Sequence, residues 1–235
     1  MIKVLSDLVD NTFNSTTRKL IVVHSNGAKW TDGTNCRKFL YNAAAVKLAL
    51  KFHIENAFFR VGKHIFRQVI GIPIGSDPAP FFANLFLFAY ESKWMQKCMK
   101  ENPGLARRFI NVFRYIDDLI AINDGGFFNR VFKDIYPPEL VLEKENDADD
   151  SATHLDLEIT IVDGEFIYRL YDKRNDFTFF IVRFPYKSSN IPSKMFYNTI
   201  SAEILRICRA TAGYGDFMAA VEPFLKRMYR QGAKE

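Results

Sequence analysis

The chain has 235 residues, 48% hydrophobic and 25% charged, so it can bury a sizeable core as one large domain or two small ones. An aromatic content of 15%, with 23 Phe, excludes a disordered or low-complexity chain, and the most apolar stretch, Pro80 to Tyr90, falls far short of the roughly 20 residues of a membrane span. Thirty-two Lys and Arg against 27 Asp and Glu give a formal charge of +5, which favours a polyanionic partner.

Met1 to Phe13 reads as the end of a helix, with Val4, Leu5, Leu8 and Val9 apolar at helical spacing. Lys19 to His24 is β-branched, Asn26-Gly27 is a hairpin turn signal, and Ala28 to Thr31 returns as the partner strand. Ala43 to Phe58 restores a helical pattern and Ile65 to Ile72 looks extended. In the stretch GIPIGSDPAP, Pro73 and Gly75 bar a regular element, Ser76 or Asp77 can cap a helix, and Pro78 suits its first turn. That helix is expected to run to about Cys98.

Phe109 to Ile116 and Leu119 to Ile122 are β-leaning runs flanking Asp117-Asp118, which predicts a hairpin with two carboxylates at its tip. Asp124-Gly125-Gly126 breaks the chain, and Phe127 to Ile135 is a short helix stopped by Pro137-Pro138. Leu140 to Leu142, Leu155 to Val162 and Glu165 to Tyr171 read as strands around an Asp163-Gly164 turn. Ser188 to Pro192 marks a subdomain boundary. Beyond it come two amphipathic helices, one marked by Phe196, Ile200, Ile204 and Ile207, the other by Phe217, Val221, Phe224, Leu225 and Met228.

No secretory pattern occupies Met1 to Asn11. Cys36, Cys98 and Cys208 lack the spacing of a disulfide framework or a zinc site. They read as reduced, mostly buried thiols of an intracellular protein, cytoplasmic or nuclear.

Two adjacent carboxylates between apolar strands are costly unless paired, and a divalent cation satisfies both; a solvated Asp-Asp turn is the competing reading. The context adds a resemblance. YIDD followed by an apolar strand, about 40 residues after GIPIGSDPAP, with the later LDLEI strand and the run YDKRNDFTFFIVRFPYKSSNIP, resembles a retroelement reverse transcriptase, nearest to Penelope-like elements, from roughly Val61 onward.

The resemblance implies an α+β fold: a partial fingers and palm over 1–187, with antiparallel sheet and packed helices, then a small helical thumb over 188–235. It implies template-directed DNA synthesis by two-metal nucleotidyl transfer, with an RNA template, a DNA primer, deoxynucleotides and Mg²⁺ or Mn²⁺ as partners, and no membrane. Asp117 matches the family's metal ligand and Asp118 supports it. Tyr115, two residues before Asp117, would lie near the primer end. Gly75, Ser76 and Pro78 match the small-residue loop that lets a template base pair approach the backbone. Lys144 lies where the family often carries a lysine able to protonate departing pyrophosphate, and also reads as a surface lysine between Glu143 and Glu145.

Asp156 and Glu158 read as a solvated sheet face or as extra metal ligands. Tyr168, Tyr171, Phe177, Phe179 and Phe184 interleave with Arg169, Lys173, Arg174, Arg183 and Lys187, a composition suited to gripping nucleic acid, although many of these rings can be core. Arg206 with Arg209, and Lys226 with Arg230, flank apolar stripes as in a thumb that contacts a duplex, or as a generic basic surface. Arg107, Arg108 and Arg114 form a further basic cluster.

The family also needs an Asp on the first palm strand. Asp7 and Asp10 read as helical and Asp32 belongs to a turn, so the expectation is a truncated copy whose frame begins just beyond that strand, inactive as an isolated chain. A metal-dependent nuclease using Asp117, Asp118, Asp156 and Glu158, or a non-catalytic nucleic-acid-binding remnant, are the alternatives.

Overall fold

A computed structural model describes residues 1–33, 39–72, 75–146, 148–179 and 181–233. Cys36, and Pro73 with its expected bar to a regular element, lie outside these described residues. The chain is mixed α+β with small antiparallel sheets, and it divides into two compact units, Met1–Val141 and Leu142–Glu235. The palm and thumb boundary expected at 187/188 falls within the second unit.

The first unit opens with α1 (Ile2–Asn14), whose Leu5 and Phe13 are buried. Strands β1 (Leu20–His24), β2 (Gly27–Thr31) and β3 (Leu40–Tyr41) form a sheet in the order β2-β1-β3, and Trp30 sets its edge against the Phe13 ring at 4.8 Å. The β1–β2 turn is Ser25-Asn26, one residue earlier than expected, because Gly27 at φ 135 opens β2 opposite His24.

Helix α2 (Ala43–Glu55) is capped by the Asn42 side chain, which accepts from the Ala45 amide at 2.9 Å. It stops three residues short of Phe58. Phe58 instead begins β4 (Phe58–Val61), which pairs with β5 (His64–Arg67) across a Gly62-Lys63 turn. Gly62 sits at φ 60, the left-handed conformation that the first central position of such a turn requires.

Helix α3 (Ala79–Glu101) begins directly after Pro78, which occupies the capping position without a side-chain cap bond. The expected Ser76 or Asp77 cap is therefore displaced, and Pro80 fills the first turn, where a missing amide costs nothing. α3 packs against α1, the short α4 (Pro103–Arg107) and α5 (Phe127–Ile135). A 3₁₀ turn over Arg108–Asn111 replaces the start of the expected strand, so β6 is only Val112–Tyr115, paired with β7 (Asp118–Ala121). Phe127 and Phe128 are buried beside Phe109, which also meets Trp94 at 4.9 Å.

In the second unit β8 (Ser151–His154), β9 (Leu157–Val162) and β10 (Glu165–Leu170) form a sheet in the order β10-β9-β8. The expected strand from Leu155 is corrected: Leu155, at φ 56, and Asp156 are the turn between β8 and β9. Leu140 to Leu142 form no strand. Helices α6 (Ser193–Arg209) and α7 (Tyr214–Arg230) close on a core of Phe184, Phe196, Ile207, Val221, Phe224 and Met228. Among the described residues no helix is long and apolar enough to cross a membrane. Cys98 is buried, which pushes its thiol up, whereas Cys208 is exposed, contrary to the buried role expected of it.

Candidate functional site

The register Tyr115↔Asp118 leaves only Ile116 and Asp117 to turn the β6–β7 hairpin. Ile116 adopts φ 56, the position that Gly62 occupies at φ 60 in the β4–β5 turn. For a β-branched residue this is a genuine outlier, costing on the order of 1–3 kcal/mol, and strain of this kind persists only where the surroundings over-determine it.

Those surroundings are concrete. Arg114 Nη1 donates to the Ile116 carbonyl at 2.8 Å and to Asn84 Oδ1 at 2.8 Å, while Nη2 donates to Glu91 Oε2 at 3.0 Å. Glu91 also accepts from the Tyr136 hydroxyl. The Arg114 side chain is 13% exposed, and hydrogen bonding to Glu91 raises its pKa further above the ordinary range. Burial, then the Glu91 carboxylate, pushes the Tyr136 phenol up as well. Arg114 is thus a strut rather than part of a basic surface. Sequence reasoning missed it because its partners lie 23 and 30 residues away.

The strut also relates the hairpin tip to the Gly75–Pro78 loop. Asn84 lies six residues into the helix that follows Pro78, about 9 Å along its axis at 1.5 Å per residue. One guanidinium nitrogen therefore bridges the start of α3 and the strained carbonyl. Gly75 has φ 92 and an added Cβ there would meet nothing within 4 Å, so the glycine serves the backbone conformation and leaves open space above it. Ser76 and Pro78 are half-buried.

Both carboxylates of the tip are exposed. Tyr115 stands opposite Asp118, with Phe113 and Ile120 the next pair on that face. The tyrosine therefore shares its face with Asp118, whereas Asp117, expected there from spacing, is in the turn. Oxygen donors of this kind suit a hard cation, and Mg²⁺ is commonly held by one or two carboxylates with waters and substrate phosphates completing its shell. Asp117 and Asp118 supply two donors of that chemical class. Among the described residues no group of three or more His, Cys, Asp or Glu is placed to hold a metal.

The remaining candidates lie in the second unit. Lys144 pairs with Asp149 at 2.9 Å, and that lysine holds the Asp149 carboxyl below its usual value. Asp156 pairs with Arg206 at 2.8 Å and Glu158 with Arg169 at 2.8 Å, so neither brings spare negative charge. Arg206 is also held by Glu203, at 2.9 Å and 2.6 Å. Its guanidinium is committed within the chain, unlike the exposed Arg209 and Arg230, which have no ion-pair partner among the described residues.

Lys226 bonds Glu222 one helical turn away but remains exposed. A shallow groove of about 380 Å³ is lined by Leu157, Leu205, Arg206 and Arg209, and another of about 670 Å³ by Ile200, Lys226, Tyr229 and Arg230. Of the interleaved rings, Phe184 is core, whereas Phe177 and Phe179 are exposed.

No protein-family model, curated protein or solved structure matched the chain in comparison.

Proposed function

We propose that this chain is a reverse-transcriptase-like palm and thumb, binding a primer-template and a deoxynucleotide with one Mg²⁺ or Mn²⁺ ion at Asp117 and Asp118. The observation that carries the reading is the Ile116 turn. An energetically unfavourable backbone, braced by Arg114, Asn84 and Glu91, projects two carboxylates into solvent beside Tyr115. A solvated Asp-Asp turn needs neither the strain nor the brace.

In this reading Asp117 and Asp118 hold the cation, which when bound neutralises phosphate charge on the incoming nucleotide. Tyr115 and the open Gly75 loop flank the nascent base pair. Arg209, Lys226 and Arg230 contact the nucleic-acid backbone without reading its sequence. The nuclease alternative loses ground because Asp156 and Glu158 are already paired with arginines.

The test is Mn²⁺ electron paramagnetic resonance on the full chain with a recessed primer-template. One bound ion is expected only when the deoxynucleotide complementary to the first template base is added, and Asp117→Asn/Asp118→Asn removes it. Equal retention with all four nucleotides, or an unchanged signal in the double variant, rejects the reading.

A further inference from the structure

The β4–β5 hairpin is the most conspicuous apolar feature that the proposed site does not use. Both strands are exposed along their whole length, with Phe58 62%, Phe59 52%, Ile65 72% and Phe66 47% exposed. A two-stranded ribbon with neither face covered is marginal by itself.

The pairing sorts its side chains into two faces. Phe59 stands opposite Phe66 and Val61 opposite His64, so one face carries three rings in a row. Phe59 and Phe66 are stacked, with centroids 5.6 Å apart and planes 21° apart, and His64 lies 6.4 Å from Phe66. The other face carries Arg60 and Arg67 beside Phe58 and Ile65, and Lys63 sits in the turn. From Asn56 to Ser76 the sequence contains no Asp or Glu.

We infer that this hairpin is a binding platform for single-stranded nucleic acid. The rings offer flat faces on which unpaired bases stack, and Arg60, Lys63 and Arg67 supply the positive charge that follows a phosphate backbone. Charge also argues against a second copy pairing through the face of Arg60 and Arg67, because two such faces would set like charges against each other with no acid to offset them. Paired bases cannot open their faces to these rings, so the ligand is the unpaired strand. The inference stands apart from the Asp117–Asp118 reading and needs no metal.

The experiment is fluorescence anisotropy with labelled oligo-dT and oligo-rU of about 12 nucleotides, within the range such platforms cover, in EDTA. The full chain is expected to bind both, and a blunt duplex to compete poorly. Phe59→Ala/Phe66→Ala should weaken binding at least about tenfold. Arg60→Gln/Lys63→Gln/Arg67→Gln should lower the slope of log affinity against log salt by about 2, at about 0.7 per phosphate contact. Binding in EDTA, with no free divalent ion, separates this surface from the proposed metal site.

All substituted side chains are exposed, and unchanged far-ultraviolet circular dichroism checks that the variants fold. The inference is overturned by any of three results: no binding by the parent chain, binding unaffected by the ring and charge variants, or a parental dimer that the ring variant dissociates.

Discussion

A single backbone angle separates Ile116 from the side chains around it. Holding a β-branched residue at φ 56 costs on the order of 1–3 kcal/mol, whereas glycine adopts that angle freely and gives back up to about 1 kcal/mol through its looser unfolded chain. Ile116→Gly is therefore expected to leave stability unchanged or raise it by up to about 2 kcal/mol, read from urea denaturation of the two proteins. A loss above about 1 kcal/mol would mean that the turn is not strained. The Asp pair was legible in the sequence because two β-leaning runs bracket it. The strain was not legible, since Ile favours strands and its positive φ arises only when the register leaves two residues for the turn. Nor was the brace, because Arg114 reads as surface charge until the fold brings Glu91 and Asn84 to it.

At the scale of elements, helical spacing is legible in the sequence, although the cap of α3 and the end of α2 are not. Ala43 onward and Phe127 to Ile135 carry the 3.6-residue spacing, with Asn42 and the Asp124 carboxylate meeting the first free amides. Short strands were read poorly. Phe58–Val61 continues the apolar pattern of α2, and only Gly62 signals that the chain has become a hairpin. Leu155 is the converse case, since its apolar side chain reads as strand although its backbone turns.

The segment after β10 carries a testable charge. Arg174 donates to both oxygens of Asp172, and this hydrogen bonding holds the Asp172 carboxyl below its ordinary value of 3.8. Its folded-state pKa is depressed, so the unfolded chain takes up the proton first as pH falls. The stabilisation is thus full well above the ordinary value of 3.8 and is lost as pH drops through that value towards the lower folded one. Asp172→Asn, which keeps the oxygen facing the Arg174 amide, should flatten the fall in urea midpoint over that interval. An identical acid limb in both proteins would show that the pair contributes nothing.

Over the whole molecule the decisive quantity is negative charge at the Asp117–Asp118 tip, and it leads to the prediction that the 235-residue chain with Mg²⁺, primer-template and deoxynucleotides extends no primer. Two divalent ions about 3.5–4 Å apart, as two-metal nucleotidyl transfer requires, repel strongly unless carboxylates from more than one strand lie between them. Asp117 and Asp118 offer two negative charges against four positive. Of the other candidate carboxylates, Asp10 is held by Lys47 at 2.7 Å, Asp156 by Arg206 and Glu158 by Arg169. One ion completed by the nucleotide's phosphates is within reach of two carboxylates, which is why binding is expected where chemistry is not. Gel analysis of a labelled primer, with Asp117→Ala run beside the parent chain, reads the outcome. If the parent chain incorporates nucleotides and Asp117→Ala abolishes it, then Asp7, Asp10 or Asp32 supplies the third carboxylate, and the charge argument fails at its first step.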